Sequence, residues 1–208
     1  MPFPYEGLPP EDWSSKTEKL LESYPLKKQQ IITPILNAWD SIFDSKIGRQ
    51  GLEIGKNIFP TPQIMASYLH ELIALEFSSE YTGEWRGDES SCEKDLVYMP
   101  DNAFSTEIKT SSDKNRIYAN RSYAQKHLTT SDSKKDKNGY YIAINFEKFD
   151  KKNRGKQNPR IRRIRFGWLD HTDWKGQDKP TGQQASLNII SEKKKLITLY
   201  DIESSLCS

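Results

Sequence analysis

The sequence is poor in the residues that cross-link chains or bind transition metals, with two cysteines and three histidines among 208 residues. Cys92 and Cys207 stand far apart and form no CxxC pair, which argues against a zinc site and favours free thiols in a reducing cytoplasm. The histidines lack the paired arrangement of a His-Asn-His nuclease, and His70, which falls in a helical pattern, is interpreted as structural. Chemistry based on clustered thiols or imidazoles is therefore not expected.

Long apolar runs are also missing. No stretch of about 18 apolar residues occurs, so no transmembrane helix is expected. The first residues, MPFPYEGLPPEDW, lack the basic start and the apolar stretch of a signal peptide. The glycines between positions 48 and 55 do not follow the Walker pattern, so a nucleotide-binding phosphate loop is not expected either.

Aromatic and charged side chains, by contrast, are plentiful. Aromatic residues make up 11% of the chain, which supports a folded core although the mean hydropathy is only −0.82. At 208 residues, one domain spanning 1–208 is the expected organisation. We divide it into an N-terminal helical region (1–58), a core (59–170) and a C-terminal segment (171–208).

Charge is unevenly distributed along the chain, although the formal net charge is only +2. Residues 1–108 carry 9 Lys and Arg against 18 Asp and Glu, residues 109–165 carry 17 against 5, and residues 166–208 carry 5 against 6. A block with a net charge of +12 suits a phosphate backbone, because basic groups that neutralise phosphates release condensed counterions. A solvated surface loop is the alternative interpretation of the same block.

Apolar periodicity predicts helices in the first part of the chain and mainly strands after it. The clearest helix begins at Thr61 and Pro62, and two of the later strands are joined by a turn at 100–102. This order of elements indicates an α/β (α+β) fold with a mixed central sheet flanked by helices and an N-terminal helical portion. The first predicted helix begins at residue 12 or 14 and ends at 24. The other predicted helices are 26–44, 61–80 and 116–128, and the predicted strands are 95–99, 104–110, 139–149 and 160–169.

The residues with the clearest chemical implication lie in the predicted strand hairpin. Asp95 begins one strand, while Glu107 and Lys109 lie two apart on the next and therefore share a face. Magnesium prefers oxygen ligands and keeps several waters, so these two carboxylates and the carbonyl of Ile108 suffice as protein ligands. Lys109 could then orient or deprotonate an attacking water, or stabilise developing charge. The pattern predicts metal-assisted cleavage of a phosphodiester.

This arrangement, Asp-x(11)-Glu-x-Lys after a long helix with acidic residues, resembles the PD-(D/E)xK nuclease superfamily. The resemblance implies a nuclease-like sheet with Mg²⁺ as cofactor, Asp95 and Glu107 as metal ligands and Lys109 as the catalytic lysine. Many members also supply a carboxylate from the preceding helix. This implies a catalytic role for Glu76, with Glu71 as the alternative.

The sequence departs from the superfamily pattern in two places. Lys94 stands before Asp95 where the pattern has proline, which has no chemical role. The literal Pro-Asp pair is Pro100-Asp101, only six residues before Glu107, and its aspartate is the alternative first ligand. Because Asp101 falls in the predicted turn, at the far end from the Glu-x-Lys face, Asp95 is preferred.

The segment around the lysine narrows the resemblance. FSTEIKTSS, followed by the run from Asn115 to Gln125, is similar to restriction endonucleases of the ScaI type. This similarity implies a type II restriction endonuclease that acts as a homodimer in the cytoplasm of a prokaryote. Such an enzyme recognises a short palindrome in double-stranded DNA, because two-fold protein symmetry matches a two-fold site, and it cuts both strands.

Side chains suited to DNA contact follow the catalytic motif and recur in the C-terminal segment. Lys and Arg suit phosphates, while Arg, Asn and Gln can make bidentate contacts with bases. Solvation of an ordinary surface is the alternative for each of them. The candidates are Lys114, Arg116, Asn120, Arg121, Gln125, Lys175, Gln177 and Gln183.

Two other functions remain open at this point. A non-catalytic nucleic-acid-binding protein would use the basic block alone and would not need Asp95 or Glu107. A repair or transposition nuclease of the same superfamily would share the active site, but it would select its substrate by structure or damage rather than by sequence.

Overall fold

The computed structural model describes residues 3–125, 136–150, 152, 155–179 and 181–205. Its helices are α1 (Trp13–Ser23), α2 (Lys28–Asp44), α3 (Pro62–Glu80), α4 (Ile189–Lys194) and α5 (Ile202–Ser205). Its strands are β1 (Lys46–Ile47), β2 (Leu52–Glu53), β3 (Trp85–Gly87), β4 (Leu96–Tyr98), β5 (Thr106–Ser111), β6 (Tyr118–Asn120), β7 (Gly139–Phe146), β8 (Ile161–Leu169), β9 (Trp174–Gly176), β10 (Gln184–Leu187) and β11 (Leu196–Asp201).

The three long helices lie where the periodicity predicts them, to within two residues. α3 begins at Pro62, whose fixed φ suits the first helical turn and whose missing N–H has no intrahelical partner there in any case. α2 contains Pro34 without ending there. Among the described residues, no helix is both long and apolar enough to cross a membrane.

A six-stranded sheet forms the centre of the fold, with the strand order β11-β8-β7-β5-β4-β3. β5 runs parallel to β7, and the other neighbouring pairs are antiparallel. Parallel neighbours require a long crossover, and the chain between β5 and β7 provides it. This mixed sheet with flanking helices confirms the predicted fold class.

The two faces of the central sheet are covered differently. On one face, Ile108 belongs to the main hydrophobic core, which includes side chains of α1, α2 and α3. On the other face, Tyr141 and Ala143 pack with a small second sheet of strand order β6-β10-β9. Glu107 and Lys109 pair in register with Tyr141 and Ala143 and point away from Ile108, since successive side chains of a strand alternate between faces. The predicted catalytic pair therefore lies on the side of the small sheet.

The helix predicted for 116–128 is wrong over its described part. Tyr118–Asn120 form β6, which pairs with β10, and 121–124 form a 3-10 turn. Residues 126–128 lie outside the described residues. Pairing with β10 overrides the local helical preference, and the pattern predicts neither β10 nor the strands β3, β9 and β11. Tertiary pairing therefore determines this part of the chain.

Candidate active site

The hairpin formed by β4 and β5 brings the predicted catalytic residues together. Asp95 immediately precedes β4, and Leu96 pairs with Thr106, the neighbour of Glu107 on β5. The Oδ2 atom of Asp95 accepts a hydrogen bond of 2.8 Å from the backbone N–H of Ile108. Asp95 is 6% exposed and Glu107 is 1% exposed. The hairpin thus holds two acidic side chains out of bulk water on adjoining strands.

The ammonium group of Lys109 lies among the three oxygens that the sequence assigns to a metal ion. Its Nζ is 2.6 Å from Glu107 Oε1, 3.3 Å from the carbonyl oxygen of Ile108 and 4.0 Å from Asp95 Oδ2. Burial of charged groups is costly unless they are paired, and here the positive charge sits against the carboxylates. The three oxygens therefore surround a position that suits a cation.

The donor atoms at this position suit a hard divalent cation, because they are carboxylate and carbonyl oxygens. In the part of the chain that the structure describes, no cluster of three or more His, Cys, Asp or Glu side chains is arranged to hold a metal. A cation in this site would be bound by two carboxylates, one carbonyl and water. Mg²⁺ accepts this kind of coordination, because it prefers oxygen ligands and retains several waters.

Helix α3 supplies an imidazole to the site. His70 Nε2 lies 3.2 Å from Asp95 Oδ2, and this contact is the main reason why the pKa of His70 is raised above its ordinary value. Glu71 is exposed and Glu76 is half-buried, and Glu76 lies about 120° around the helix from His70 at 3.6 residues per turn. His70, interpreted as structural from the sequence, thus contacts a predicted metal ligand, while the catalytic role of Glu76 stays a prediction.

A tyrosine that the sequence does not single out also reaches the site. The hydroxyl of Tyr123 donates a hydrogen bond to Glu107 Oε1, and its ring centroid lies 4.6 Å from Lys109 Nζ. Tyr141, which faces Glu107 in the strand register, is fully buried, and burial raises its pKa well above the ordinary value. The contacts of Tyr123 depend on the strand and turn that replace the predicted helix, so the local sequence carries no signal for them.

Asp101, the alternative first ligand, has a different local role. It is exposed, and its Oδ1 accepts a hydrogen bond of 2.9 Å from the backbone N–H of Ala103. This contact caps the 3-10 turn at Asn102–Phe104. Asp95, by contrast, is buried and bonded to the strand that carries Glu107.

Similarity to known proteins extends over nearly the whole chain, and residues 3–200 match the family described as ScaI restriction endonuclease. The chain belongs to this family. It is also 45% identical to the type II restriction enzyme ScaI of Streptomyces caespitosus over 197 residues. The aligned region covers 95% of this chain and 84% of the relative. No solved structure matches significantly. Family membership confirms the predicted resemblance and, with it, the prediction of a type II restriction endonuclease.

In this member of the ScaI restriction endonuclease family, several predicted DNA contacts lie together on the small sheet. Lys175, Gln177 and Gln183 are exposed and help to line a groove of about 870 Å³ beside β9 and β10. Asn120 ends β6, next to the same strands. The guanidinium of Arg121 donates hydrogen bonds to the carbonyl oxygens of two residues in the β9–β10 loop, Lys179 at 3.0 Å and Gly182 at 3.2 Å.

Only Lys175, Gln177 and Gln183 among the eight candidates line this groove. Asn120 and Arg121 lie beside it, and the last three candidates make other contacts. Lys114 Nζ lies 3.5 Å from a carboxylate oxygen of Glu203. Arg116 Nε lies 3.4 Å from Glu192 Oε2, and its guanidinium also donates to the carbonyl oxygen of Leu187. Gln125 is exposed at the edge of the described residues. The structure therefore separates the eight candidates into three that line the groove, two beside it and three elsewhere.

Acidic partners neutralise part of the basic block within the fold. Arg165 Nη1 lies 3.2 Å from Glu192 Oε1, and Arg163 Nη2 lies 2.6 Å from Asp201 Oδ2. Both acidic residues come from the C-terminal segment, which meets the basic block at β8 and β11. Only part of the net charge counted along the sequence is therefore available to a phosphate backbone.

Proposed function

We propose that this protein hydrolyses phosphodiester bonds in both strands of a short palindromic DNA site, with Mg²⁺ as cofactor and Asp95, Glu107 and Lys109 as catalytic residues. The observation that carries the proposal is the approach of Lys109 Nζ to oxygens of both buried carboxylates. An ordinary surface strand with a Glu-x-Lys triplet would leave its carboxylate in water. The family is one of restriction endonucleases, an enzyme type that generally depends on a divalent metal ion.

The metal ion would be held by Asp95, Glu107 and the carbonyl of Ile108. When bound, it supplies positive charge where the phosphoryl oxygens develop negative charge. The Oδ2 atom of Asp95 is contacted by the N–H of Ile108 and by the imidazole of His70, and both contacts restrict the direction of the carboxylate. Ligands oriented in this way bind more tightly and with better geometry than free side chains.

Lys109 would act on the attacking water or on the phosphate. In its protonated form Nζ can donate hydrogen bonds to developing negative charge, and in its neutral form it can accept a proton from water. Glu107 Oε1 holds Nζ at 2.6 Å, and the ring of Tyr123 covers it. Positioning of this kind raises the rate, because the reacting groups need little reorientation before the reaction.

Recognition of a palindrome would require two copies of the chain, each contacting one half-site. On each copy, Lys175, Gln177 and Gln183 are exposed at the groove and have side chains that suit base edges or phosphates. Such an enzyme would act in the cytoplasm of a prokaryote, beside a methyltransferase that protects the same sequence in the host DNA. Sedimentation of the protein on a duplex that carries the site would count the bound copies.

Incubation of a plasmid with the purified protein and Mg²⁺, followed by gel separation, tests the cutting centre. Wild type is expected to give discrete bands, while Asp95→Ala and Lys109→Ala are expected to bind DNA and give none. Asp101→Ala is the matched control and should cut like wild type, because its carboxylate is exposed in the same hairpin. End-sequencing of the bands then gives the recognised sequence and the cut position.

Other outcomes would contradict parts of the proposal. Retained cutting by Lys109→Ala at ordinary Mg²⁺ concentration would overturn the assignment of the lysine. Loss of cutting in Asp101→Ala but not in Asp95→Ala would mean that Asp101, in the turn, is the first metal ligand. A smear of fragments from wild type would contradict cleavage at a specific sequence.

A further inference from the structure

Tyr123 lies between the proposed cutting centre and the small sheet that carries the proposed base contacts. Its hydroxyl donates to Glu107 Oε1, and its ring covers Lys109 Nζ at 4.6 Å. The side chain is only 7% exposed. Hydrogen bonds are stronger in such a shielded position than at the surface, because water does not compete for the same groups. One side chain thus contacts both members of the Glu107–Lys109 pair.

The ring of Tyr123 also packs against β9. The ring centroids of Tyr123 and Trp174 are 5.7 Å apart at an interplanar angle of 62°, which is an edge-to-face contact. Farther along β9, a Cβ atom on Gly176 would lie 3.3 Å from Arg121 Cγ and 3.7 Å from Ala124 Cβ. The turn 121–124 is therefore closely packed against β9, and closely packed groups transmit displacements to each other.

Arg121 attaches the same turn to the loop between β9 and β10. Its backbone N–H donates to the carbonyl of Gln183 over 2.7 Å, and its guanidinium donates to the carbonyls of Lys179 and Gly182. Gln183 is one of the proposed base contacts. A displacement of this loop would therefore reach Arg121 and, two residues later, Tyr123.

We infer that Tyr123 is a positioning residue that couples the β9–β10 loop to the Glu107–Lys109 pair, so that contact with the correct DNA sequence aligns the cutting centre. The inference rests on the proposed function. Coupling of this kind makes the cleavage step itself depend on sequence, because contacts with the correct bases are used to bring the reacting groups into line. Tyr123 acts through Glu107 and Lys109 and not by touching the DNA.

Tyr123→Phe tests the inference, because it removes the hydroxyl but keeps the ring against Lys109 and Trp174. The cleavage rate constant on the specific site, measured with enzyme in excess over DNA, is expected to fall about 10- to 100-fold, as for other groups that orient a metal ligand. The dissociation constant for the same duplex, measured with Ca²⁺ in place of Mg²⁺, should stay within about twofold of wild type. Tyr68→Phe, at an exposed position on α3, is the matched control and should change neither value.

The coupling itself is measured with a second duplex that carries one altered base pair. The ratio of cleavage rate constants between the two duplexes is expected to be smaller in Tyr123→Phe than in wild type. An unchanged ratio would overturn the coupling, and an unchanged rate would overturn the positioning role. Equal losses in rate and affinity, or a melting temperature well below that of Tyr68→Phe, would make Tyr123 a structural residue and overturn the inference.

The same assays separate this inference from the proposed function. If wild type cuts neither duplex with any divalent metal, the proposed function fails and the inference fails with it. If wild type cuts and Tyr123→Phe cuts equally well, the inference alone is overturned.

Discussion

Lys109 Nζ and Glu107 Oε1 lie 2.6 Å apart, in a site where the lysine side chain is 15% exposed and the glutamate side chain 1%. The two residues share one face of β5, so a single strand presents the pair. The same ammonium group lies 3.3 Å from the carbonyl of Ile108. A lysine charge and a metal ion would therefore compete for the same oxygens.

Lys109→Met is expected to bind divalent cations more tightly than wild type, although it should no longer cleave DNA. The substitution removes a positive charge next to the proposed ligands, and like charges repel each other strongly in a poorly solvated site. Calorimetric titration with Mn²⁺ measures the affinity. Lys19→Met, at an exposed position on α1, controls for the change in net charge. Equal or weaker binding by Lys109→Met would contradict the competition.

His70→Phe is expected to lower the cleavage rate constant by about 10- to 100-fold, because it removes an orienting contact from Asp95. His70→Gln keeps an N–H donor near the same position and should recover part of the rate. Single-turnover cleavage and DNA affinity are measured together, and affinity should be nearly unchanged. Wild-type cleavage by His70→Phe would mean that the imidazole only fills space beside the carboxylate.

Gln183→Ala is expected to weaken discrimination at one base pair by about 1–3 kcal/mol, the range for a good bidentate contact. The backbone of Gln183 holds Arg121 while its side chain is exposed, so the fold should be unaffected. Cleavage of duplexes with single base-pair changes measures the effect. Gln29→Ala, on the exposed side of α2, serves as the control. If the variant discriminates between base pairs as well as wild type at every position of the site, residues other than Gln183 recognise the bases.

Arg165→Met is expected to lower the free energy of unfolding by about 3–5 kcal/mol, since it breaks a buried ion pair and leaves Glu192 with less compensation. Burial lowers the pKa of Arg165, although Glu192 opposes this effect. Urea unfolding measures the decrease in the free energy of unfolding. Arg160→Met breaks an exposed pair with Glu147 and is expected to cost about 0–1 kcal/mol. Similar decreases in the free energy of unfolding in both variants would contradict the prediction that the buried ion pair stabilises the fold more than the exposed one.

Stability in acid should depend on the ion pair between Arg86 and Glu93. The Arg86 guanidinium lowers the pKa of Glu93 from 4.5 to about 2. A carboxylate whose pKa is lower in the folded state stabilises the fold above its unfolded pKa, and this contribution is lost as the pH falls from 4.5 towards 2. Glu93→Gln should therefore show a lower melting temperature than wild type at neutral pH and a smaller decrease on acidification.

The size of this pH effect is expected to be small, because both partners are partly exposed and water screens the pair. Glu18→Gln, at an exposed position on α1, provides the comparison. Melting temperatures are recorded at several pH values from neutral downwards. Parallel curves for wild type and Glu93→Gln would contradict a role of this pair in acid stability.

The hairpin that carries Asp95, Glu107 and Lys109 could be predicted from the sequence because its determinants are local. The strand period of two places Glu107 and Lys109 on one face, and a short turn returns the chain beside Asp95. The long helix α3 could also be predicted from the sequence, because Thr61 and Pro62 mark its start.

The remainder of the site could not be predicted in this way. The contact of His70 with Asp95 depends on how α3 packs beside the hairpin, and the contact of Tyr123 with Glu107 depends on the pairing of β6 with β10. Neither helical periodicity nor a motif contains information about such distant pairs. The helix predicted for 116–128 failed for the same reason, because a partner strand more than sixty residues later determines the conformation.

The sequence by itself determined the family, the fold class and the order of the chemical groups along the β4–β5 hairpin, because these depend on periodicity, composition and short spacings. Only the tertiary structure decided which charges remain for DNA and which side chains surround the carboxylates. Arg165 was counted in a basic block, yet it is buried against Glu192. Electrostatic and packing energies depend on distance in space, and the folded sheet brings together groups that the sequence keeps far apart.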